Sequence, residues 1–162
     1  MYKIKQKPED FVVKEISNVE ISKEVGDNAS FKYLYFKMKK RNKNTLDVVK
    51  EISRVLRIKE KQIGFAGSKD KYAVTEQTIS ITGVGKERVE RLRNDNWSLE
   101  FLGGGTIPIS LGDLEGNYFE IVIRDLDKEQ TENVKPISFI ENYYDEQRFS
   151  QNNVAIGKNI VK

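Results

Sequence analysis

Gly64-Phe65-Ala66-Gly67-Ser68-Lys69-Asp70-Lys71-Tyr72-Ala73-Val74-Thr75-Glu76-Gln77 is the stretch on which the reading of this chain turns. It starts where a short apolar run (Ile63, Phe65, Ala66) meets glycine. It ends where period-2 alternation begins, with Val74, Gln77, Ile79 and Ile81 set among Thr75, Glu76, Thr78, Ser80 and Thr82. The pattern predicts strand, tight loop, strand. Gly67 has no Cβ and suits a sharp turn or a close approach to a ligand. Ser68-Lys69-Asp70-Lys71 offers one carboxylate between two cations, a setting for a nucleophile or an electrostatic partner. A polar β-turn with a solvated charge run fits the same window.

Working outward, Phe31 to Met38 alternates and is rich in aromatics, which predicts a strand. Thr45 is a candidate helix cap, followed by Leu46, Val48, Val49, Ile52, Val55 and Leu56 at helical spacing. Upstream, Tyr2 to Lys7 alternates weakly, Pro8 suits a turn or a first helical position, Phe11 to Ile16 is β-rich, and Gly26-Asp27-Asn28 marks a turn. Downstream, Lys86 to Arg93 predicts a short charged helix and Trp97 to Leu102 a strand. Gly103-Gly104-Gly105 reads as a flexible loop and Tyr118 to Arg124 as one strand. Lys128 to Ile140 reads as a helix interrupted at Pro136. Gly85-Lys86 is no phosphate loop, because Ser80 stands where the earlier glycine belongs and Glu87 replaces Ser/Thr. Pro108 likewise breaks a dinucleotide-binding spacing.

Composition limits the chemistry. The 162 residues suit one domain with a real core, at 38% hydrophobic and 33% charged. No apolar run approaches the ~20 residues of a bilayer span, and the first residues lack a signal peptide's apolar core, so no membrane partner is expected. There is no cysteine and no histidine, which removes disulfides, thiolates, the commonest general base and the usual zinc ligand. What remains is chemistry on carboxylates, lysines, tyrosines or backbone. A net charge of +3 permits polyanion binding where cations cluster. Clusters stand at Lys3, Lys5 and Lys7; at Lys37, Lys39, Lys40, Arg41 and Lys43; and at Lys86, Arg88, Arg91 and Arg93.

Four segments in order resemble one family. Residues 64–77 match the signature of the TruD family of tRNA pseudouridine synthases almost residue for residue. Pro8-Glu9-Asp10-Phe11-Val12-Val13-Lys14-Glu15 is similar to its N-terminal motif, and Leu114-Glu115-Gly116-Asn117-Tyr118-Phe119 to its turn and strand. Asn142 to Phe149 is similar to its glutamine–arginine–phenylalanine segment, although Asp145 and Ser150 stand where the family has glycines.

The resemblance implies an α+β fold, a pseudouridine-synthase-type mixed, largely antiparallel sheet flanked by helices. It implies isomerisation of a uridine in tRNA, typically uridine 13, to pseudouridine without metal or organic cofactor, in the cytoplasm. Asp70 falls at the catalytic aspartate and Phe119 at the stacking residue. Asn117, Lys5, Lys69, Gly67 and Arg148 fall at positions expected to bind substrate or RNA. Family members are longer, with an inserted domain and a C-terminal part that completes the catalytic domain. Residues 1–162 thus match its N-terminal part, with an open sheet edge expected and the C-terminal part as a partner. The second reading is a non-catalytic RNA-binding or assembly module on the same half-fold.

Overall fold

The computed structural model of the protein describes residues 2–22 and 31–139. The expected turn at Gly26-Asp27-Asn28 and the segment from Asn142 to Phe149, with Arg148, lie outside the described residues. The chain divides into two units, after Leu126.

The first unit is built on a mixed sheet. Strands β2 (Phe11–Ile16), β3 (Tyr33–Arg41), β5 (Val74–Ile81), β6 (Trp97–Gly105) and β7 (Gly116–Ile121) lie in the order β6-β3-β5-β2-β7, and β4 (Ile63–Phe65) pairs with β5 beside β2. Among the described strands only β2 and β5 run parallel; every other pairing is antiparallel. The fold is therefore α+β with a largely antiparallel sheet, as expected. A two-stranded ribbon, β1 (Lys3–Ile4) with β8 (Ile123–Arg124), adjoins it in sequence at both ends.

Helix α1 (Thr45–Leu56) covers one sheet face. Val48, Val49, Ile52 and Leu56 recur every three or four residues, so they project together onto Phe36, Met38, Ile79 and Ile81. Burying each such side chain contributes roughly 1.5–3 kcal/mol. Arg57 ends the helix in the left-handed conformation, its N–H returning to the Ser53 and Arg54 carbonyls. The short helix α2 (Lys86–Glu90) adds Val89 to the same core. On the other face Tyr35, Ala66 and Ile109 form a smaller cluster, so the central strands are covered on both sides.

Three expectations change. Gly103-Gly104-Gly105 is not a loop but the end of β6, because a bulge opposite Tyr35 and Phe36 lets the strand continue. A Cβ on Gly103 would lie 2.4 Å from the Ser22 carbonyl oxygen, so a bare backbone is what allows that close approach. The strand expected over Tyr118 to Arg124 divides at Val122. There β2 gives way to a 3-10 turn at Pro8–Asp10, and the Val122 N–H donates to the Asp10 carbonyl at 2.8 Å before the chain re-pairs with β1. Pro8 occupies the first position of that turn, where its missing N–H costs nothing.

In the second unit the helix expected over Lys128 to Ile140 is one turn, α3 (Lys128–Glu132). Asp127 caps it by accepting from the Gln130 N–H at 2.7 Å, and Gln130 Oε1 accepts in return from Asp127 N–H. Asn133 closes it well before Pro136.

Candidate active site

The loop of residues 66–73 joins β4 to β5 and meets the start of α1 at Lys69. It is held from beneath by side chains of three elements. Gln77 of β5 donates Nε2 to the Gly67 carbonyl at 3.0 Å and accepts the Thr45 hydroxyl at 3.0 Å. The same hydroxyl accepts the Lys69 N–H at 3.0 Å. Thr45 is thus not the helix cap: Asn44 occupies that position, and Thr45 is the first helical residue with its oxygen turned to the loop. From β3, the Lys40 ammonium donates to the carbonyls of Lys43 (2.8 Å), Lys69 (3.3 Å) and Asp70 (2.8 Å). Tyr72 ties the far side down by donating its hydroxyl to the Gln6 carbonyl at 2.8 Å.

Asp70 itself reaches the surface, with its side chain 37% exposed and one carboxylate oxygen 3.6 Å from Lys5 Nζ. Lys5 adopts a left-handed backbone (φ 53°), rare for a side chain with Cβ. Its ammonium also lies 3.7 Å from the centre of the Phe11 ring, a cation–π contact. Phe11 in turn stands 6.0 Å from Phe119, the rings tilted by 58°. Along β2, Phe11, Val13 and Glu15 share one face, and their partners on β7 are Ile121, Phe119 and Asn117. Phe119 is 52% exposed on the edge strand, where its ring is open to a planar ligand. The structure therefore brings Asp70, Lys5, Phe11 and Phe119 into one continuous set, with Asn117 on the same face of β7.

Lys69 is placed differently. Its Nζ turns inward to Glu15 Oε2 at 2.6 Å, with side chains 7% and 1% exposed, so the cation beside the Asp70 carboxylate is Lys5. Glu15 Oε1 accepts the Thr78 N–H at 3.1 Å, the ladder position that β2 leaves open on β5. Gly67 is also not where a sharp turn demands glycine, since a Cβ there would meet nothing within 4 Å. The glycine that steric contact requires is Gly64, whose Cβ would lie 2.2 Å from the Ile109 carbonyl oxygen.

The basic clusters are redistributed by strand alternation. Lys37 pairs with Glu100, Lys39 with Glu76, Arg41 with Glu9 and Lys43 with Glu51, while Lys40 goes inside. A more open positive surface lies beside α1. A groove of about 620 Å³ is lined by Lys43, Arg54, Arg91 and Arg93, and a second of about 400 Å³ by Lys50, Arg54 and Lys71, the residue after Asp70. Glu51 sits between them, its carboxyl held below the usual carboxylate range by the Lys43 ammonium and by the Trp97 indole N–H at 2.8 Å.

Sequence reasoning missed Lys40, Glu15, Thr45 and Gln77 as supports of the loop. A signal was present for one of them: Lys40 continues the phase of Leu34, Phe36 and Met38, which marks an inward position. Among the described residues no group of acidic side chains is arranged to hold a metal ion, and no helix is long and apolar enough to cross a membrane.

The chain has relatives in sequence and in fold. A family model described as tRNA pseudouridine synthase D (TruD) matches residues 2–162. The tRNA pseudouridine synthase D of Aquifex aeolicus is 43% identical over 160 residues, covering 91% of this chain and 39% of that protein. A Thermococcus onnurineus protein assigned the same name is 40% identical, over 99% of this chain and 39% of its own. A crystal structure of a Methanosarcina mazei protein assigned to TruD superposes with a TM-score of 0.71 at 37% identity, covering 76% of this chain and 27% of that one. The chain thus spans about 39% of the length of these curated relatives. On sequence and on fold, the chain belongs to the TruD family of tRNA pseudouridine synthases.

Proposed function

We propose that this chain carries the catalytic aspartate, Asp70, of an enzyme that isomerises a uridine of tRNA to pseudouridine, uridine 13 being the expected target. The observation that carries the reading is the pairing of a surface carboxylate with an exposed aromatic on one face. Asp70 is held against Lys5, and Lys5 rests on Phe11 beside Phe119.

Pseudouridine formation breaks the bond between uracil N1 and ribose C1′, turns the base, and joins C5 to C1′. The proton on C5 leaves and N1 gains one, so no redox partner or cofactor is consumed. A uridine inside a stacked helix offers none of these atoms, so the nucleotide must first leave the stack. Phe119 supplies a ring on which an extruded pyrimidine stacks, worth roughly 1–3 kcal/mol per base. Asn117, on the same face of β7, is placed to pair with the uracil edge. Asp70 acts on the nucleoside, and Lys5 stabilises its negative charge at 3.6 Å. Lys71, Arg54, Arg91 and Arg93 extend a positive surface from this point for the phosphate backbone.

The site is completed by further chain. Among the described residues β7 pairs only with β2, and Tyr118, Phe119, Ile121 and Ile123 stand exposed around its free edge. An added strand would satisfy that edge and wall the pocket. The test is Asp70→Asn in the full encoded chain, with pseudouridine in a tRNA transcript mapped by carbodiimide. Modification is expected to fall at least about 100-fold with folding and tRNA binding retained. Undiminished modification would remove Asp70 from the reaction.

A further inference from the structure

Among the described residues of the first unit Lys40 is the most deeply buried cation, 1% exposed in a strand whose neighbouring lysines all reach solvent. A buried ammonium is costly unless its donors are used. Lys40 uses all three, and two go to consecutive carbonyls, those of Lys69 and Asp70. The third goes to Lys43, in the turn that launches α1. One side chain thus ties the backbone of the Asp70 residue itself to β3 and to the start of α1.

We propose that Lys40 is the positioning residue for Asp70: its ammonium fixes the backbone of residues 69 and 70, and through it the direction in which the Asp70 carboxylate is presented. This rests on the catalytic reading of Asp70, but its structural part does not. Lys5 meets the carboxylate from the solvent side, whereas Lys40 holds the main chain from the core side. Thr45 and Gln77 share the task through the Lys69 N–H and the Gly67 carbonyl, so the loop has backbone anchors on either side of Ser68. A carboxylate free to wander by an ångström loses on the order of 100-fold in rate.

Burial lowers the Lys40 pKa to about 8, against an upward pull from the Asp70 carboxylate and a further downward push from Lys69. The strand residues opposite it, Thr75 and Trp97, carry no charge, and Lys43 presents its carbonyl. The ammonium is therefore lost at a pH where ordinary lysines keep theirs, which gives a readout that needs no substitution.

The experiment follows amide hydrogen exchange, corrected for intrinsic rates, in the full encoded chain. The probes are the Lys69 and Ala73 N–H groups, which donate to Thr45 Oγ1 and to the Lys71 carbonyl. In Lys40→Met their protection is expected to fall at least tenfold while that of β5 holds, and in the unsubstituted protein the same loosening is expected between pH 7 and pH 9. Turnover of a tRNA transcript by Lys40→Met is expected to lose at least tenfold in kcat with KM within threefold. Loop protection within twofold of the original in both arms would overturn the proposal, as would an equal loss throughout β5, the mark of a merely structural role. If Lys40→Met does not fold, the pH series decides alone. A protein that shows no turnover at all but loosens its loop as described refutes the catalytic reading and leaves the positioning role standing.

Discussion

Lys69 Nζ lies 2.6 Å from Glu15 Oε2, and the two side chains are almost entirely withdrawn from water. The pair joins the residue before Asp70 to strand β2, so the stability of the sheet and the shape of the Asp70 loop depend on the same contact. Removing one member leaves the other charge buried and uncompensated, which is worse than removing both. Glu15→Ala also deprives the Thr78 N–H of its acceptor.

Glu15→Ala is accordingly expected to destabilise the protein by about 3–5 kcal/mol. Adding Lys69→Met should recover part of that loss. Urea unfolding of the two single variants and the double variant checks this: costs that simply add would show that the pair is not coupled.

Acid sensitivity should centre on Asp10. Arg124 grips its carboxylate with two hydrogen bonds, 2.9 and 2.7 Å, and holds its pKa below the ordinary 3.8. A carboxyl depressed in the folded state contributes stability above its unfolded pKa, and that contribution is lost as pH falls from about 4 through the lower folded value. Asp10→Asn should therefore be less stable than the parent at pH 6 and show a flatter stability profile below pH 4. Thermal unfolding at pH 6, 4 and 3 is the measurement; identical profiles would deny the pair this role.

Phe119→Ala separates recognition from folding. The ring is half exposed on an edge strand, so its truncation should cost little stability, within about 0.5 kcal/mol. Loss of the stacking platform should weaken binding of a tRNA transcript by roughly 1–3 kcal/mol. Fluorescence titration beside thermal unfolding distinguishes the two; a large stability loss with unchanged binding would make Phe119 a packing residue.

Association with tRNA should weaken steeply with salt, because each phosphate neutralised by a cation releases counterions. Arg54→Ala and Arg91→Ala, in the grooves beside α1, should each reduce the slope of log K against log salt by about 1. Lys39→Ala, whose ammonium is engaged by Glu76 at 3.1 Å, should leave the slope nearly unchanged. Equal effects from all three substitutions would mean that the footprint lies elsewhere.

Much of the secondary structure was legible because its signals are local. The alternation through residues 74–81 and the helical spacing of Val48, Val49, Ile52 and Leu56 depend only on which side chains share a face. The one-turn α3, the division at Val122 and the extension of β6 through three glycines were not legible. The last two depend on partners distant in sequence, Asp10 for Val122 and Ser22 for Gly103 and Gly104, while α3 stops where Asn133 closes its single turn.

The sequence by itself determined the chemistry available and the kinship of the chain. Without histidine or cysteine these residues offer carboxylates, lysines, tyrosines or backbone, and the resemblance of the motif from Gly64 to Gln77 to the TruD signature is what points to Asp70. Only the tertiary structure decided which cations serve it. Three lysines look alike on paper. Yet Lys69 is spent on Glu15, Lys40 is buried under the loop backbone, and Lys5, just past β1 and far from Asp70 in sequence, faces the carboxylate. Charge attraction carries no sequence address. The direction each ammonium takes is set by strand phase and by which buried acceptors remain unsatisfied, and both exist only once the sheet has assembled.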